Sequence, residues 1–164
     1  MLLWFIGLGP LVVWTVFRSP ALDLRVVMAG SLLPLLDGLF GGPRVLHSLT
    51  GAVVALVVVM LATRHRRLLR RVLLGIPIGL FIHLLLDGAW VDTDTFWWPF
   101  TGWSFEGDQL PEIARGGWTL VMEAVGAVAL WYGYRTFGLA DPARRERFVR
   151  TGRVDVVASD PRRG

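Results

Sequence analysis

Long apolar stretches alternate with short polar segments along the first 139 residues of the chain. Five stretches approach the length that a helix needs to cross a bilayer, about 20 residues with a lower limit near 17. They cover residues 2–17, 24–40, 47–63, 72–90 and 118–137. The first lacks a basic leader and a small-residue cleavage site, so we expect it to be retained as a helix. The pattern predicts an all-α, polytopic transmembrane helix bundle of about five spans over residues 1–139.

The placement of arginine predicts the orientation of this bundle. All 17 basic residues are Arg, and 15 of them flank alternate ends of the spans or follow the last span. Only Arg44 and Arg115 fall on the other side. Because basic residues concentrate on the cytoplasmic side, we expect an external N-terminus and a cytoplasmic C-terminus in the inner membrane. Five tryptophans cluster in the external segment between spans four and five, as is typical of a membrane interface. They are Trp90, Trp97, Trp98, Trp103 and Trp118.

Composition narrows the protein class further. The 164 residues are 54% hydrophobic and 18% charged, and none is cysteine. These values exclude a disordered chain, a disulfide-bonded secreted domain and any cysteine-based zinc or redox site. Residues 140–164 are polar and rich in Arg, so we expect a disordered or short amphipathic cytoplasmic tail that touches anionic lipid. Membrane lipids are the expected partners, and nothing indicates a specific nucleic acid.

Ionisable residues inside the spans are few, and the predicted topology brings them to one depth. Such residues are costly in a membrane, so each needs a structural or functional reason. They are Asp37 in span two, His47 at the start of span three, His83 and Asp87 in span four, and Glu123 in span five. Although Arg alone sets the orientation, all five fall near the outer ends of their spans. This convergence predicts a shared polar site there, whereas Asp92 and Asp94 are expected to be turn and helix-cap residues.

His83 and Asp87 are the most specific part of this group. They are four residues apart, so a helix puts both on one face. An imidazole and a carboxylate in that arrangement form half of a zinc site, although the same pair also occurs as a plain hydrogen-bonded pair. His47, followed by Ser48, is equally consistent with an ordinary helix start. Asp37 is also consistent with a helix that ends near water.

Several short motifs resemble those of a known family. The runs SLLPLLDGLF (31–40), RVLHSLTG (44–51) and FIHLLLDGAW (81–90), followed by FWWPF (96–100), are similar to motifs of the membrane-bound metal-dependent hydrolases. This family of unknown function is also described as LexA-binding, inner-membrane-associated hydrolases. The chain departs from the family pattern by having GGPR where a further His is common, and LLPLLD in place of LLPD. The family motifs map onto Asp37, His47, Ser48, His83 and Asp87.

The resemblance implies a membrane-embedded hydrolase that binds zinc or another divalent transition metal. His47, His83 and Asp87 would be metal ligands, with one position left open for water. Asp37 would be a fourth ligand or the general base. The substrate would be an ester or a phosphoester, and a lipid-linked compound is the natural candidate at the outer face of the membrane.

Two further residues complete the candidate site. Glu123 would support a ligand or act as an alternative base, unless it pairs with Arg115 or stays protonated among apolar neighbours. Ser48 would contact a substrate oxygen or orient His47. The alternative function is a non-catalytic multi-pass protein whose polar cluster ties helices together or is a degenerate metal site. A transporter is disfavoured because the inner halves of the spans carry no ionisable group except Arg at their ends.

Overall fold

The computed structural model describes residues 1–19, 22–104 and 115–154. Within these ranges the chain forms helices and no strand, which confirms the predicted all-α class. The α-helices are α1 (Leu2–Phe17), α2 (Leu24–Leu32), α3 (Leu49–Ala62), α4 (Arg67–Leu73), α5 (Gly75–Asp87), α6 (Thr93–Phe96), α7 (Trp118–Thr136) and α8 (Pro142–Thr151). The same ranges also contain 3₁₀ segments at Leu33–Phe40, Val45–His47 and Ala89–Val91.

The second apolar stretch divides into two kinds of helix. α2 ends at Leu32, and a 3₁₀ helix continues over Leu33–Phe40. Pro34 lies at the start of this second part. Because proline has no N–H to donate to an α-helical bond, the α-helix does not continue past it. The first and last predicted spans, by contrast, coincide with α1 and α7 to within one residue.

Capping residues set the ends of the helices beside the candidate site. The Ser48 hydroxyl accepts a hydrogen bond from the Gly51 N–H at 2.9 Å, and α3 begins there. α5 ends at Asp87 because Gly88 takes a left-handed conformation with φ of 71°, which glycine adopts without steric cost. His47 lies in the 3₁₀ turn just before the α3 cap. Two candidate ligands are therefore held at defined helix ends.

Glycines allow the closest helix contacts. α2 packs against α5, α1 against α7 and α2, and α3 against α5. A Cβ on Gly79 of α5 would overlap the carbonyl oxygen of Val27 in α2, and a Cβ on Gly7 of α1 would overlap Gly126 of α7. Small residues at helix crossings let backbones approach closely and are typical of packing in membranes. The order across the bundle is α7, α1, α2, α5 and α3.

Much of the apolar surface of the outer helices stays exposed. Within the described ranges, the buried apolar residues include two small clusters, one that joins α1, α2 and α5 to the C-terminal segment and one between α3 and α5. Exposed large side chains on α3 include Val54, Val58 and Leu61, and those on α7 include Leu120 and Val128. An extensive exposed apolar surface marks a face that contacts lipid or another protein.

One helical stretch among the described residues is long and apolar enough to cross a membrane. It is the 21-residue stretch Arg67–Asp87, formed by α4 and α5. The helices Leu2–Phe17 and Leu49–Ala62 are apolar but shorter. Length and composition therefore allow membrane association through one helix. The five-span arrangement and the external N-terminus stay predictions.

The structure describes the first part of the predicted C-terminal tail. The sequence allows a disordered or a short amphipathic segment from residue 140 onward, and Pro142–Thr151 form the short helix α8, while Val154 is buried against Val13 and Phe137. The Asp141 side chain caps α8 by accepting the backbone N–H of the residue after Pro142. The cap is a local feature, whereas the contact of Val154 joins residues distant in sequence, and an overall basic composition reveals neither. Residues 155–164 of the predicted tail lie outside the described residues.

Candidate metal centre

Two histidines and one aspartate meet at one end of α5. His83 and Asp87 lie one turn apart on this helix, and His47 comes from the 3₁₀ turn before α3. Each residue offers a ligand atom, and the three atoms lie within 4.8 Å of one another. All three residues are buried, with at most 3% of their surface exposed. The three residues predicted as ligands thus form a group that could hold a metal ion.

Asp37 lies behind His47 and orients its ring. Its Oδ2 atom is 3.0 Å from His47 Nδ1. The same oxygen accepts the backbone N–H groups of Arg44, Leu46 and His47 at 2.9, 3.0 and 3.2 Å. An oxygen that accepts three amide protons is also an acceptor for the ring, so Nδ1 carries the imidazole proton. The lone pair is then on Nε2, the nitrogen on the opposite side of the ring from Asp37.

His83 is oriented in a similar way by a backbone carbonyl. Its Nδ1 lies 2.7 Å from the carbonyl oxygen of Ser31 in α2. A carbonyl only accepts hydrogen bonds, so Nδ1 is the donor, and the lone pair of the neutral ring is on Nε2. Phe5 of α1 stacks on the His83 ring with centroids 3.9 Å apart. The His47 ring contacts the His83 ring edge-on, with centroids 5.2 Å apart. These contacts fix the plane of the His83 ring.

Arg115 orients the carboxylate of Asp87. Arg115 Nη1 donates to Asp87 Oδ1 at 2.6 Å, and Nη2 donates to the Asp87 backbone carbonyl at the end of α5. The other carboxylate oxygen, Oδ2, is buried and accepts no hydrogen bond from any residue that the structure describes. A buried carboxylate oxygen without a donor is costly. A cation beside Oδ2 would remove this cost.

The donor set fits a divalent transition metal. Two imidazole nitrogens and a carboxylate oxygen bind zinc at catalytic sites, where water takes the fourth position. Ligand atoms about 2.1 Å from one zinc ion lie no more than about 4 Å apart, so a small adjustment of the 4.8 Å spacing suffices. Hydrogen bonds from a carboxylate or a carbonyl to the second ring nitrogen are typical of histidine ligands. Iron(II) binds the same donor set, so the set alone does not select zinc.

A small cavity opens beside two of the candidate ligands. His47 and Asp87 line it together with Asp92 and Thr95, and its volume is about 20 Å³. A volume of about 10–15 Å³ is enough to hold one water molecule, so a water-sized molecule fits next to the ligands. Asp92 caps α6 as expected, by accepting the Thr95 N–H at 3.3 Å, and its exposed carboxylate is an additional acidic group at the cavity.

The other predicted catalytic side chains are used in helix caps. The Ser48 hydroxyl caps α3 and donates to the Val45 carbonyl oxygen at 2.7 Å. Glu123 caps α1 by accepting the N–H groups of Leu2 and Leu3, the latter at 2.7 Å. It does not form the ion pair with Arg115 that the sequence left open, because Arg115 pairs with Asp87. A shared depth predicts proximity, but it does not say which face of a helix a residue occupies.

Three residues that orient the group were not identified from the sequence. Ser31 acts through its main-chain carbonyl, so its side chain carries no signal, and Phe5 is one of nine phenylalanines. Arg115 has a detectable signal, since it is one of two Arg that fall outside the predicted cytoplasmic groups.

Comparison of the chain with known protein families, with curated proteins and with solved structures gives no match. The resemblance of its short motifs to the membrane-bound metal-dependent hydrolases therefore stays a prediction.

Proposed function

We propose that this protein is a membrane-embedded, metal-dependent hydrolase with His47, His83 and Asp87 as its metal ligands. The observation that carries the proposal is a buried group of two imidazoles and one carboxylate, each held by a hydrogen bond on its far side. Orienting partners of this kind are characteristic of metal ligands. The Oδ2 atom of Asp87, which lacks a donor among the described residues, supports the same conclusion.

We place the metal centre near the outer surface of a five-span bundle in the inner membrane. The nine residues of α2 and the eight of the following 3₁₀ helix rise about 30 Å together, which matches the hydrocarbon core of a bilayer. The shorter α1 and α3 would be accommodated by local thinning of the bilayer. Exposed apolar side chains on α3 and α7 support contact with lipid, and the distribution of Arg supports an external N-terminus and a cytoplasmic C-terminus.

The residues around the ligands prepare them for a zinc ion or a similar divalent metal. When bound, such an ion supplies Lewis acidity that polarises an ester or phosphoester and activates water. Asp37 and the Ser31 carbonyl keep the protons of both imidazoles on Nδ1, so that both Nε2 lone pairs are available. Arg115 occupies Oδ1 of Asp87, and Oδ2 is then the ligand oxygen. Asp37 is an orienting residue in this arrangement, and neither a fourth ligand nor the base.

Asp92 is the carboxylate best placed to accept a proton in this cavity. It lines the same small space as His47 and Asp87 and is exposed. A general base must lie within hydrogen-bonding reach of the proton that it removes, directly or through one water. Asp37 does not meet this condition from its position behind His47. Glu123, which caps α1, does not meet it either.

The substrate that we propose is an ester or phosphoester carried by an amphiphile. Aromatic side chains are exposed on the segment after α6, including Trp97, Phe100 and Trp103. The Thr50 hydroxyl donates to the Trp98 carbonyl oxygen at 2.6 Å and so ties this segment to the start of α3. Exposed aromatic rings at a membrane interface suit a molecule with one apolar and one polar end. A lipid-linked substrate could then reach the cavity from the outer leaflet.

A non-catalytic role of the same cluster is the second candidate. The Arg115–Asp87 ion pair and the His83–Ser31 hydrogen bond each join separate parts of the fold. Polar contacts between helices in a membrane contribute about 0.6–2 kcal/mol each, so the cluster would stabilise the bundle without a metal.

Metal content distinguishes the two candidates. Detergent-purified wild-type protein, after zinc reconstitution, should hold close to one equivalent of metal by inductively coupled plasma mass spectrometry. The His47→Ala/His83→Ala variant should lose it. His65→Ala is the matched control, because His65 is the remaining histidine of the chain and is exposed in the turn before α4. Wild-type protein without metal would favour the structural role, and equal metal in the double variant would exclude these ligands.

Hydrolysis is tested separately, on protein that has passed the metal test. Bis(4-nitrophenyl) phosphate and 4-nitrophenyl butyrate are probes for phosphoester and ester cleavage. Asp92→Asn should reduce the rate about 10²–10⁴-fold, the usual contribution of a general base. Asn is also a good helix cap, so α6 and the metal content should be retained. Metal-loaded protein without activity on either probe class, or on phospholipids, would contradict the hydrolase proposal.

A further inference from the structure

An apolar groove lies on the α1–α7 side of the bundle and is separate from the small cavity at the metal centre. It has a volume of about 360 Å³ and runs between α1, α7 and α8. Its lining is apolar and aromatic, and includes Leu11, Met28, Tyr134, Phe137 and Phe148. Pockets of about 300–1,000 Å³ are typical of small-molecule sites. Nothing in the hydrolase proposal uses this groove.

Arginines lie at the end of the groove that α8 closes. Arg144 is four residues before Phe148, so both lie on one face of α8. The Nη1 atom of Arg144 is buried and has no hydrogen-bond partner among the described residues, although 37% of the side chain is exposed. Arg135, at the end of α7, stacks over the ring of Trp131, which also lines the groove. Each of the two arginines thus lies one helical turn from a residue that lines the groove, Arg144 from Phe148 and Arg135 from Trp131.

The acidic residues of α8 do not neutralise Arg144 fully. Asp141 Oδ2 is 3.7 Å from Arg144 Nε, at the long end of the range for an ion pair, and its carboxylate also caps the helix. Glu146 is directed to Arg150, at 3.6 Å. Both acidic side chains are exposed, where such pairs contribute little. The positive charge at the edge of the groove is thus available to an external anion.

We propose that this groove binds one anionic phospholipid, with an acyl chain between α1 and α7 and the phosphate beside Arg144. The apolar lining fits a hydrocarbon chain, and the guanidinium groups at one end fit a phosphate, for which Arg is the preferred partner. A free phosphate would leave the apolar lining empty, and an apolar protein segment would leave the charge unpaired. The α8 end of the groove lies on the side that we place in the cytoplasmic leaflet, where anionic lipids are abundant.

The test compares two phospholipids that differ only in headgroup. The detergent-purified full chain is titrated with dioleoyl phosphatidylglycerol and with dioleoyl phosphatidylcholine, and binding is followed by native mass spectrometry. Phosphatidylglycerol should bind at least about fivefold more tightly, because the choline cation of phosphatidylcholine offsets its phosphate charge and one Arg near an anionic lipid is worth about that factor. Inorganic phosphate should not compete. Equal binding of the two lipids, or effective competition by phosphate, would overturn the proposal.

Variants locate the site within the chain. Arg144→Gln should reduce the preference for phosphatidylglycerol about fivefold. Arg150→Gln, the same change two residues past Phe148 on the other side of α8, should preserve it. Gly133→Leu should weaken binding of both lipids, because Gly133 lines the groove and a Cβ there has ordinary contact with Leu11 at 3.5 Å. If the Arg144→Gln variant keeps the wild-type preference for phosphatidylglycerol, the proposed site is wrong. This conclusion does not depend on whether the Gly133→Leu variant is stable.

The proposals for the lipid site and for the metal centre can be tested independently of each other. The proposal needs the membrane placement given above, but it needs no metal. The His47→Ala/His83→Ala variant should therefore retain its preference for phosphatidylglycerol. Arg144→Gln should likewise keep the metal content of the wild type.

Discussion

The carboxylate of Asp37 organises a loop and a ring at the same time. One of its oxygens receives three backbone N–H groups from the segment 44–47 and faces Nδ1 of His47. The loop that carries His47 is therefore folded around the same atom that orients its imidazole. Under the proposed function, such a side chain would affect metal binding without touching the metal.

Replacement of Asp37 should weaken metal binding and leave the fold intact. Asp37→Asn keeps the size of the side chain but removes its charge, so the hydrogen bond to His47 weakens. We expect zinc affinity to fall about 10–100-fold, as is usual when the orienting partner of a ligand is lost. Titration against a chromogenic chelator measures this change, and Asp94→Asn, an exposed carboxylate nearby, is the control. Unchanged affinity would contradict the orienting role.

The sequence predicted the members of the candidate site better than their roles. Spacing on one helix brings His83 to Asp87, and the shared depth brings His47 to both. The role of Asp37 depends on backbone N–H groups in a turn, which hydrophobic periodicity does not describe. Glu123 is predicted at the same depth as the other residues, but it lies on a face of α7 that meets the start of α1.

At the scale of elements, the α2–α5 contact determines how the site is supported. A Cβ on Gly79 would overlap the Val27 carbonyl oxygen and crowd the Ser31 N–H. The carbonyl of Ser31 is the hydrogen-bond acceptor for His83. The separation of the two helices therefore sets the position of a candidate ligand.

A single methyl group at this contact should destabilise the protein. Gly79→Ala forces backbone against backbone, and overpacking of this kind costs about 1–3 kcal/mol, more than the roughly 1 kcal/mol that alanine gains as a helix former. We expect a lower Tm in detergent and weaker metal binding. Gly133→Ala is the matched control, because its Cβ would make only ordinary contacts. Equal Tm values for the two variants would show that α2 and α5 can move apart without loss of stability.

Asp23 joins the start of α2 to the C-terminal segment. It caps α2 and pairs with Arg25 at 2.7 Å, and Arg25 also donates to the Val149 carbonyl oxygen in α8. The adjacent Leu24 N–H donates to the Gly152 carbonyl oxygen at 2.9 Å. Burial raises the pKa of Asp23, but the hydrogen bonds and charge of Arg25 outweigh it and hold the pKa below the ordinary value of 3.8.

This lowered pKa makes the contribution of Asp23 depend on pH. Folding favours the ionised form, so the stabilisation is complete above the unfolded pKa, near 3.9, and is lost as the pH falls through the folded pKa. Asp23→Asn should therefore have a lower Tm than the wild type at pH 7, and the difference should shrink below about pH 4. Thermal unfolding in detergent across this range measures it. A difference independent of pH would assign the effect to packing.

Helix positions were largely predictable, whereas the breaks between helices were not. Apolar length alone locates α1 and α7 to within a residue. The change to 3₁₀ geometry at Leu33–Phe40 depends on Pro34 and on a tertiary contact that holds Asp37. The order of α8 depends on contacts of Phe148 and Val154 with residues far away in sequence, so local composition could not reveal it.

At the scale of the whole molecule, topology is the prediction on which the proposed site depends. If the five apolar segments cross the membrane, a reporter fused after Arg70 is cytoplasmic, and one fused after Ser104 is external. Alkaline phosphatase should be active only at Ser104, and green fluorescent protein should fluoresce only at Arg70. The reverse pattern would place the metal centre at the cytoplasmic surface. Activity of the same reporter at both positions would show that the chain does not cross the membrane between Arg70 and Ser104.

The contacts of α1 have a consequence for the order in which the centre is assembled. α1 is synthesised first, but Phe5 stacks on His83, and the first N–H groups of α1 are held by Glu123. A nascent chain that ends before α7 already contains both histidines, but α1 is then held only by its contacts with α2 and α5 and lacks the Glu123 cap. Because contacts distant in sequence form late, we expect Phe5 to settle on His83 only after α7 has emerged, which would leave the candidate metal site accessible to an ion during synthesis.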